Sequence, residues 1–293
     1  MEFRTIVDIP EPGFRISPFE EMLFVGSCFA AEIGRRFQEE QFRAMVNPYG
    51  VMYNPASILH TIARLYSSVP SAVPSNQQSA KTVFLTLGTN HVYRLKETGE
   101  IVDNCQKRPQ SLFTEEELSV EECAGYLQQV IDILRQMNPE IHIVLTVSPI
   151  RYRKYGYHGS QLSKATLLLA VEKVLGNPRK ILGDPRNPRS PRNPRISYFP
   201  AYEIINDELR DYRFYQEDML HPTQQTVDYI WERLVEIYFS DEAKTFLEEW
   251  HPIKQALNHK PFDPESDEYR RFQEQTKSRL KELQEKYPAL KEI

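Results

Sequence analysis

The chain has 293 residues, 40% of them hydrophobic and 26% charged, which is enough for one large domain to bury its own core. Its net charge of −5 comes from acids and bases interleaved along the sequence, so no basic tract points to a nucleic-acid partner. The three cysteines, Cys28, Cys105 and Cys123, form no C-x-x-C pair, which argues against a disulfide framework or a zinc site.

The first fourteen residues carry Glu2, Arg4, Asp8 and Glu11 and lack the apolar core of a secretory signal. From residue 21 the run Glu-Met-Leu-Phe-Val-Gly reads as a strand, and Phe29, Ile33 and Phe37 follow at helix spacing. Strand, tight turn and helix is therefore the first unit. A second short strand is expected at Phe42 to Val46, closed by Asn47-Pro48-Tyr49-Gly50. Pro55 then opens a helix containing Ile58, Leu59, Ile62 and Leu65. Ser67 to Ala80, rich in Ser, Pro and Gln, reads as a loop.

Thr82 to Leu87 is a continuous apolar strand ending at Gly88, and His91 to Leu95 pairs with the stretch through Val102 as a small hairpin. Leu118 to Met137 has the pattern of an amphipathic helix, Ile141 to Val147 of a strand and Leu162 to Leu175 of a helix. The last unit is a strand at Ile196 to Phe199, a short helix at Tyr202 to Leu209, a loop through Asp218 to His221 and a helix from Gln224 to Tyr238. Strands alternating with helices predict an α/β domain over residues 1–240, a three-layer α/β/α arrangement with a mostly parallel central sheet.

Two segments depart from this rhythm. Residues 184–195 repeat proline and arginine with period three, a pattern that favours extended polyproline II and aligns Arg186, Arg189, Arg192 and Arg195 on one face. They form either a solvated loop or an arm for an anionic surface. Residues 241–293 read as a charged helical extension, Asp241 to Ala256 and Pro264 to Tyr287, in which Leu280, Leu283 and Tyr287 make a thin apolar stripe. That stripe packs either on the domain or on a second copy, the latter giving a homodimer through the C-terminal helices.

Functional groups of an open α/β sheet collect outside the carboxyl ends of its strands. Here those ends are Gly26-Ser27-Cys28, Asn47 to Gly50, Gly88-Thr89-Asn90, Ser148 to Arg151 and the Asp218 to His221 loop. Together they hold a nucleophile, exposed backbone donors, an amide and an Asp/His pair, the inventory for acyl transfer. No phosphate-binding loop, dinucleotide fingerprint or metal-ligand spacing is present, so neither a cofactor nor a metal is expected. No apolar run approaches the roughly 18–20 residues of a membrane helix. A cytoplasmic protein without a membrane partner is the expectation.

The string Gly26-Ser27-Cys28-Phe29-Ala30 resembles the motif that names the GSCFA family, whose members are placed among SGNH-type (GDSL-like) hydrolases. The resemblance extends through Asn47-Pro48-Tyr49-Gly50, Thr86-Leu87-Gly88-Thr89, Val147-Ser148-Pro149-Ile150-Arg151, His158, Gln161 to Ala165, and Asp218-Met219-Leu220-His221-Pro222. It covers about residues 20 to 240 and reaches the tail at Asn258 to Phe262. It implies the SGNH-hydrolase-like version of the fold and its site layout. Asp218 and His221 match the Asp-x-x-His block, Gly88-x-Asn90 the asparagine block, and Gly50 the oxyanion glycine.

The first block departs from Gly-Asp-Ser, because Cys28 stands in the nucleophile's place and Ser27 precedes it. The start of a helix favours an anion and raises the thiolate fraction of a cysteine placed there. Cys28 is thus the preferred nucleophile and Ser27 the alternative; a cysteine beside a buried strand is also often a small core residue. Arg151, His158 and Lys164 are candidate substrate-binding residues. The expected function is hydrolysis or transfer of an acyl ester or thioester on a small molecule or glycan. The competing reading is an SGNH-like binding module without chemistry.

Overall fold

The computed structural model describes residues 4–68, 80–103, 105, 108–176 and 194–290. Five parallel strands form the central sheet: β1 (Glu21–Gly26), β2 (Arg43–Val46), β3 (Thr82–Leu87), β7 (His142–Val147) and β8 (Ile196–Tyr198), in the spatial order β2-β1-β3-β7-β8. A second, antiparallel sheet of three short strands, β4 (His91–Leu95), β5 (Ile101–Val102) and β6 (Phe113–Glu117), has β4 in the middle. The hairpin expected there exists. The strand at β6, Phe-Thr-Glu-Glu-Glu, buries Phe113 and Leu118 follows it, but its carboxylates give it no apolar pattern.

The sheet is covered on both faces, which is why β1, β3 and β7 read as continuous apolar runs. Leu23, Val25, Val83, Leu85, Ile143 and Leu145 face one layer, made by helices α2 (Pro55–Ser68), α3 (Val120–Met137) and α4 (Gly156–Leu175). Met22, Phe24, Phe84 and Val144 face the other, made by α1 (Cys28–Glu39) and α6 (Gln224–Tyr238). The register sets Phe24 opposite Phe84 and Phe84 opposite Val144, and the two phenylalanine rings stack with centroids 4.8 Å apart. A slip by one residue would exchange the two faces of a strand, so the register is firmly specified.

Local signals fix the helix starts. Asn54 Oδ1 accepts the Ser57 N–H at 2.9 Å ahead of Pro55, and Ser119 and Glu122 form a reciprocal capping box on α3. The fourth helix begins at Gly156, six residues before the apolar pattern starts at Leu162. The short helix expected after β8 is α5 (Ala201–Glu203) running into a π-helical turn at Ile204–Leu209.

Helices α7 (Asp241–Leu257) and α8 (Asp267–Lys286) complete the chain. Phe246, Trp250, Ile253, Leu283, Tyr287 and Leu290 make a separate small core between them, with Phe19 and Leu280 against it. The stripe predicted on the last helix is therefore buried within the chain. Trp250 Nε1 donates to Glu39 O, and Lys254 pairs with Glu40 at 2.9 Å, which fastens this extension to the end of α1. Arg195 pairs with Glu140 at the start of β8; the rest of the proline–arginine repeat before Pro194 and most of the loop predicted at 67–80 lie outside the described residues. No helix among the described residues is long and apolar enough to cross a membrane.

Candidate active site

The sheet order reverses direction between β1 and β3, the place where an open parallel sheet leaves a crevice outside its carboxyl ends. A cavity of about 290 Å³ opens there. Ser27 and Cys28 reach it from the end of β1, Gly88 from β3, Ser148 from β7, and His221 from the loop before α6. Distant stretches of sequence thus meet at one end of the sheet.

The turn after β1 is held by backbone. Gly26 N–H donates to Asn47 Oδ1 at 2.9 Å, Met52 N–H to Gly26 O at 2.9 Å, and Ser27 N–H to Thr86 O at 3.1 Å. Gly26 has φ +148°, and a Cβ there would lie 2.2 Å from Thr86 O, so no other residue fits. Ser27 is the N-cap of α1 but its side chain makes no capping bond, and its buried Oγ has no partner. Cys28 is the first residue of the helix and is half-buried, with Sγ 3.6 Å from the hydroxyl of Tyr53. Ser27 O accepts the Ala30 N–H at 2.9 Å, so of the leading N–H groups of α1 those of Cys28 and Phe29 stay without a hydrogen bond among the described residues. Burial and the contact with Cys28 hold the Tyr53 hydroxyl above its ordinary pKa, so it is a proton donor at neutral pH.

The histidine loop is equally organised. Asp218 Oδ1 accepts the N–H groups of Leu220 at 2.8 Å and His221 at 3.0 Å, while Oδ2 meets His221 Nδ1 at 2.6 Å. The backbone N–H of His221, its ring and the Leu220 N–H together pull the Asp218 carboxyl down to about 2. Asp218 is therefore ionised at neutral pH and can only accept, so Nδ1 carries the shared proton; in the neutral imidazole form the lone pair then sits on Nε2. Arg151 ties this loop to the end of β7, its N–H donating to Leu220 O at 3.2 Å and Nη1 to Met219 O at 3.1 Å. Among the described residues no hydrogen bond joins His221 to Cys28 or Ser27.

Lys164 is the most buried charged group of the cavity, 2% exposed. Its Nζ donates to Gly88 O at 2.7 Å and Ser148 O at 2.8 Å, carbonyls at the ends of β3 and β7. Burial lowers its pKa to about 7. Arg151 also lines the cavity, with its guanidinium over the Tyr157 ring at 4.2 Å.

Three predicted residues stand elsewhere. Gly50 is exposed, and its N–H closes a turn onto Asn47 O at 2.9 Å. Asn90 is buried with its amide donating to Leu118 O at 2.8 Å, fixing the start of the small sheet. His158 is exposed on the first turn of α4, outside the cavity lining. Gly88 does line the cavity, but its N–H donates to Tyr53 O at 2.8 Å, so it is not a free oxyanion donor.

The structure adds groups that the sequence reading passed over. Tyr53 and Tyr152 form an aromatic wall, their rings in edge contact at 6.2 Å. Glu32 lies one turn beyond Cys28 on α1, with a buried Oε2 that has no hydrogen-bond partner. Burial raises its pKa, against the lowering influence of His221 nearby. The i, i+4 relation of Cys28 and Glu32 was the one available signal for it. Among the described residues no cluster of His, Cys, Asp and Glu is arranged to hold a metal ion.

Solved structures similar to the chain include a Streptococcus pneumonia protein assigned as a platelet activating factor, 14% identical, covering 75% of this chain and 84% of that one with a TM-score of 0.44. A Clostridium thermocellum family 3 carbohydrate esterase is 12% identical, with 74% and 96% covered and a TM-score of 0.37. A mutant acetyl esterase with acetate ion is 9% identical, with 81% and 100% covered and a TM-score of 0.38. No curated protein matches the chain. Residues 250–291 match the GSCFA domain protein, C-terminal domain. Residues 21–76 and 70–234 match the GSCFA family, to which this chain belongs.

Proposed function

We propose that the protein cleaves or transfers an acyl ester or thioester through a covalent intermediate on Cys28. The observation that carries this reading is one cavity holding a half-buried thiol at the first turn of a helix together with an aspartate-oriented histidine. Ser27 is the weaker nucleophile, because its Oγ is sealed from solvent. The order of blocks and the β2-β1-β3-β7-β8 sheet support an SGNH-like arrangement in which the thiol takes the serine's place.

In this mechanism His221 Nε2 removes the Cys28 proton, and the sulfur attacks the acyl carbon. The carbonyl electron pair moves to oxygen and is met by the uncapped N–H groups at the start of α1. Collapse of the tetrahedral species breaks the bond to the leaving oxygen or sulfur, which takes the proton from the imidazolium. Asp218 keeps Nδ1 protonated throughout and stabilises the cation. Water or an acceptor alcohol then attacks the thioester, its proton passing to Nε2, and Cys28 is released with the proton returned. The missing contact between His221 and the thiol requires a small closure when substrate binds, as in many unliganded sites.

The test is intact-mass analysis after exposure to 4-nitrophenyl acetate. One acetyl group is expected on the wild type and on Ser27→Ala, none on Cys28→Ala, and acylation slowed about 10²–10⁴-fold in His221→Ala. Absence of an adduct at either residue in folded protein refutes the reading. It would leave the binding-module alternative, which the absence of a hydrogen bond between His221 and Cys28 among the described residues favours.

A further inference from the structure

The cavity's charged lining is of one sign. Arg151, Arg153, Lys154 and Lys164 line it with His221, and no carboxylate does. The chain as a whole is acidic, with a net charge of −5, so this concentration of cations is local. Lys154 is neutralised by Glu115 at 3.0 Å. Among the described residues, Arg151, Arg153 and Lys164 form no ion pair.

Lys164 is the telling member. A buried charge is ordinarily paired, because an isolated ion loses its hydration without compensation. Lys164 is 2% exposed, and both of its hydrogen-bond acceptors are neutral carbonyls. An ammonium has three donors; two are committed to these carbonyls, the Tyr202 ring lies 5.9 Å from Nζ, and the group lines the cavity with no anionic partner among the described residues. Burial alone depresses its pKa, with no acid near enough to oppose the effect. A counter-charge for the ammonium form is thus missing among the described residues and has room in the cavity, where an anion would hold Lys164 protonated.

We propose that the substrate is anionic: an acyl ester or thioester carrying a carboxylate or phosphate group, whose charge is met by Lys164 in the cavity wall and by Arg151 and Arg153 beside it. This rests on the acyl-transfer reading for the chemistry, but the anion site stands on the cavity itself. The aromatic rings of Tyr53 and Tyr152 border the same space, so an apolar acyl or linker segment between the charge and the reacting carbonyl fits as well.

Two measurements separate the claims. In the first, protection of Cys28 from iodoacetamide is followed with adipate, inorganic phosphate and neutral adipamide. Adipate or phosphate is expected to protect the wild type, with protection lost in Lys164→Gln and weakened in the exposed-site variant Arg153→Gln; the stronger of the two anions identifies the group. In the second, kcat/KM is compared for mono-4-nitrophenyl adipate and 4-nitrophenyl hexanoate. A preference of about tenfold for the anionic ester is expected, the effect of one charge contact, falling towards unity in the two variants. Anion protection without turnover of either ester would sink the acyl-transfer reading and keep the anion site. Equal protection by adipamide, or an ester preference untouched by both substitutions, would overturn the proposal.

Discussion

Gly26→Ala examines the turn on which the whole site rests. The new Cβ would stand 2.2 Å from Thr86 O and 2.8 Å from Thr86 N and C, whereas ordinary contact begins at 3.4 Å. These are backbone atoms of the paired strand, so no side-chain rotation relieves them; β1 and β3 must separate. Holding a non-glycine residue at φ +148° adds strain of about 1–3 kcal/mol, and forced overpacking adds about 1–3 kcal/mol. Together these give a loss of about 2–6 kcal/mol, which for a chain of this size lowers Tm by about 3–10 °C. Thr86 O is also the acceptor for Ser27 N–H at 3.1 Å, so Cys28 is displaced with it and its alkylation rate changes. The control is Gly125→Ala on the exposed face of α3, where nothing lies within 4 Å of the added carbon; it raises stability by about 0.5–1 kcal/mol. Thermal and urea unfolding of both variants provide the readout. A Gly26→Ala protein melting within about 2 °C of the wild type would refute the close-approach argument.

Other expectations can be checked with simple variants. Tyr53→Phe removes the hydroxyl 3.6 Å from Cys28 Sγ and slows iodoacetamide labelling at neutral pH by about two- to tenfold, the scale of one weak hydrogen bond; faster labelling would show that the tyrosine shields the thiol. Asp218, held down to about 2 in the folded protein, favours folding above its unfolded pKa of about 4, and that contribution disappears as pH falls through the folded value. Urea unfolding between pH 5 and pH 2 should therefore be flatter in Asp218→Asn than in the wild type, and identical curves would argue against the Asp218–His221 interaction. Burial pushes the Cys123 thiol up to about 12, so disulfide-exchange reagents should modify it only after denaturation. Leu283→Ala, in the small core between α7 and α8, should cost about 2–4 kcal/mol; a loss under about 1 kcal/mol would mean that the last helix is loosely docked.

The central strands were legible because a parallel strand covered on both faces must be apolar at nearly every position, as Phe84 and Leu85 show by facing opposite layers. The strand β6 was not, because a peripheral strand with three glutamates carries no such pattern. The early start of α4 was hidden by Gly156 and Gly159, which weaken a helical reading but meet no conflict in a solvated first turn. Within the site, Asp218 and His221 were readable together because their contact is local, three residues apart. Gly50 and Asn90, expected at the oxyanion, stand outside the cavity lining, because the partners of their polar groups are set by the folded chain: Asn90 meets a carbonyl twenty-eight positions away.

By itself, the sequence determined the alternation of strands and helices, the glycine turn before Cys28 and the Asp-x-x-His loop, because each depends on residues near one another in the chain. Tertiary structure alone decided that Ser27 is sealed while Cys28 remains open, that Tyr53 touches the thiol, and that Lys164 enters the cavity wall. Those outcomes depend on which atoms exclude water and which carbonyls lie within reach, and both follow from the packing of α4 and the 47–54 loop against the ends of β1, β3 and β7.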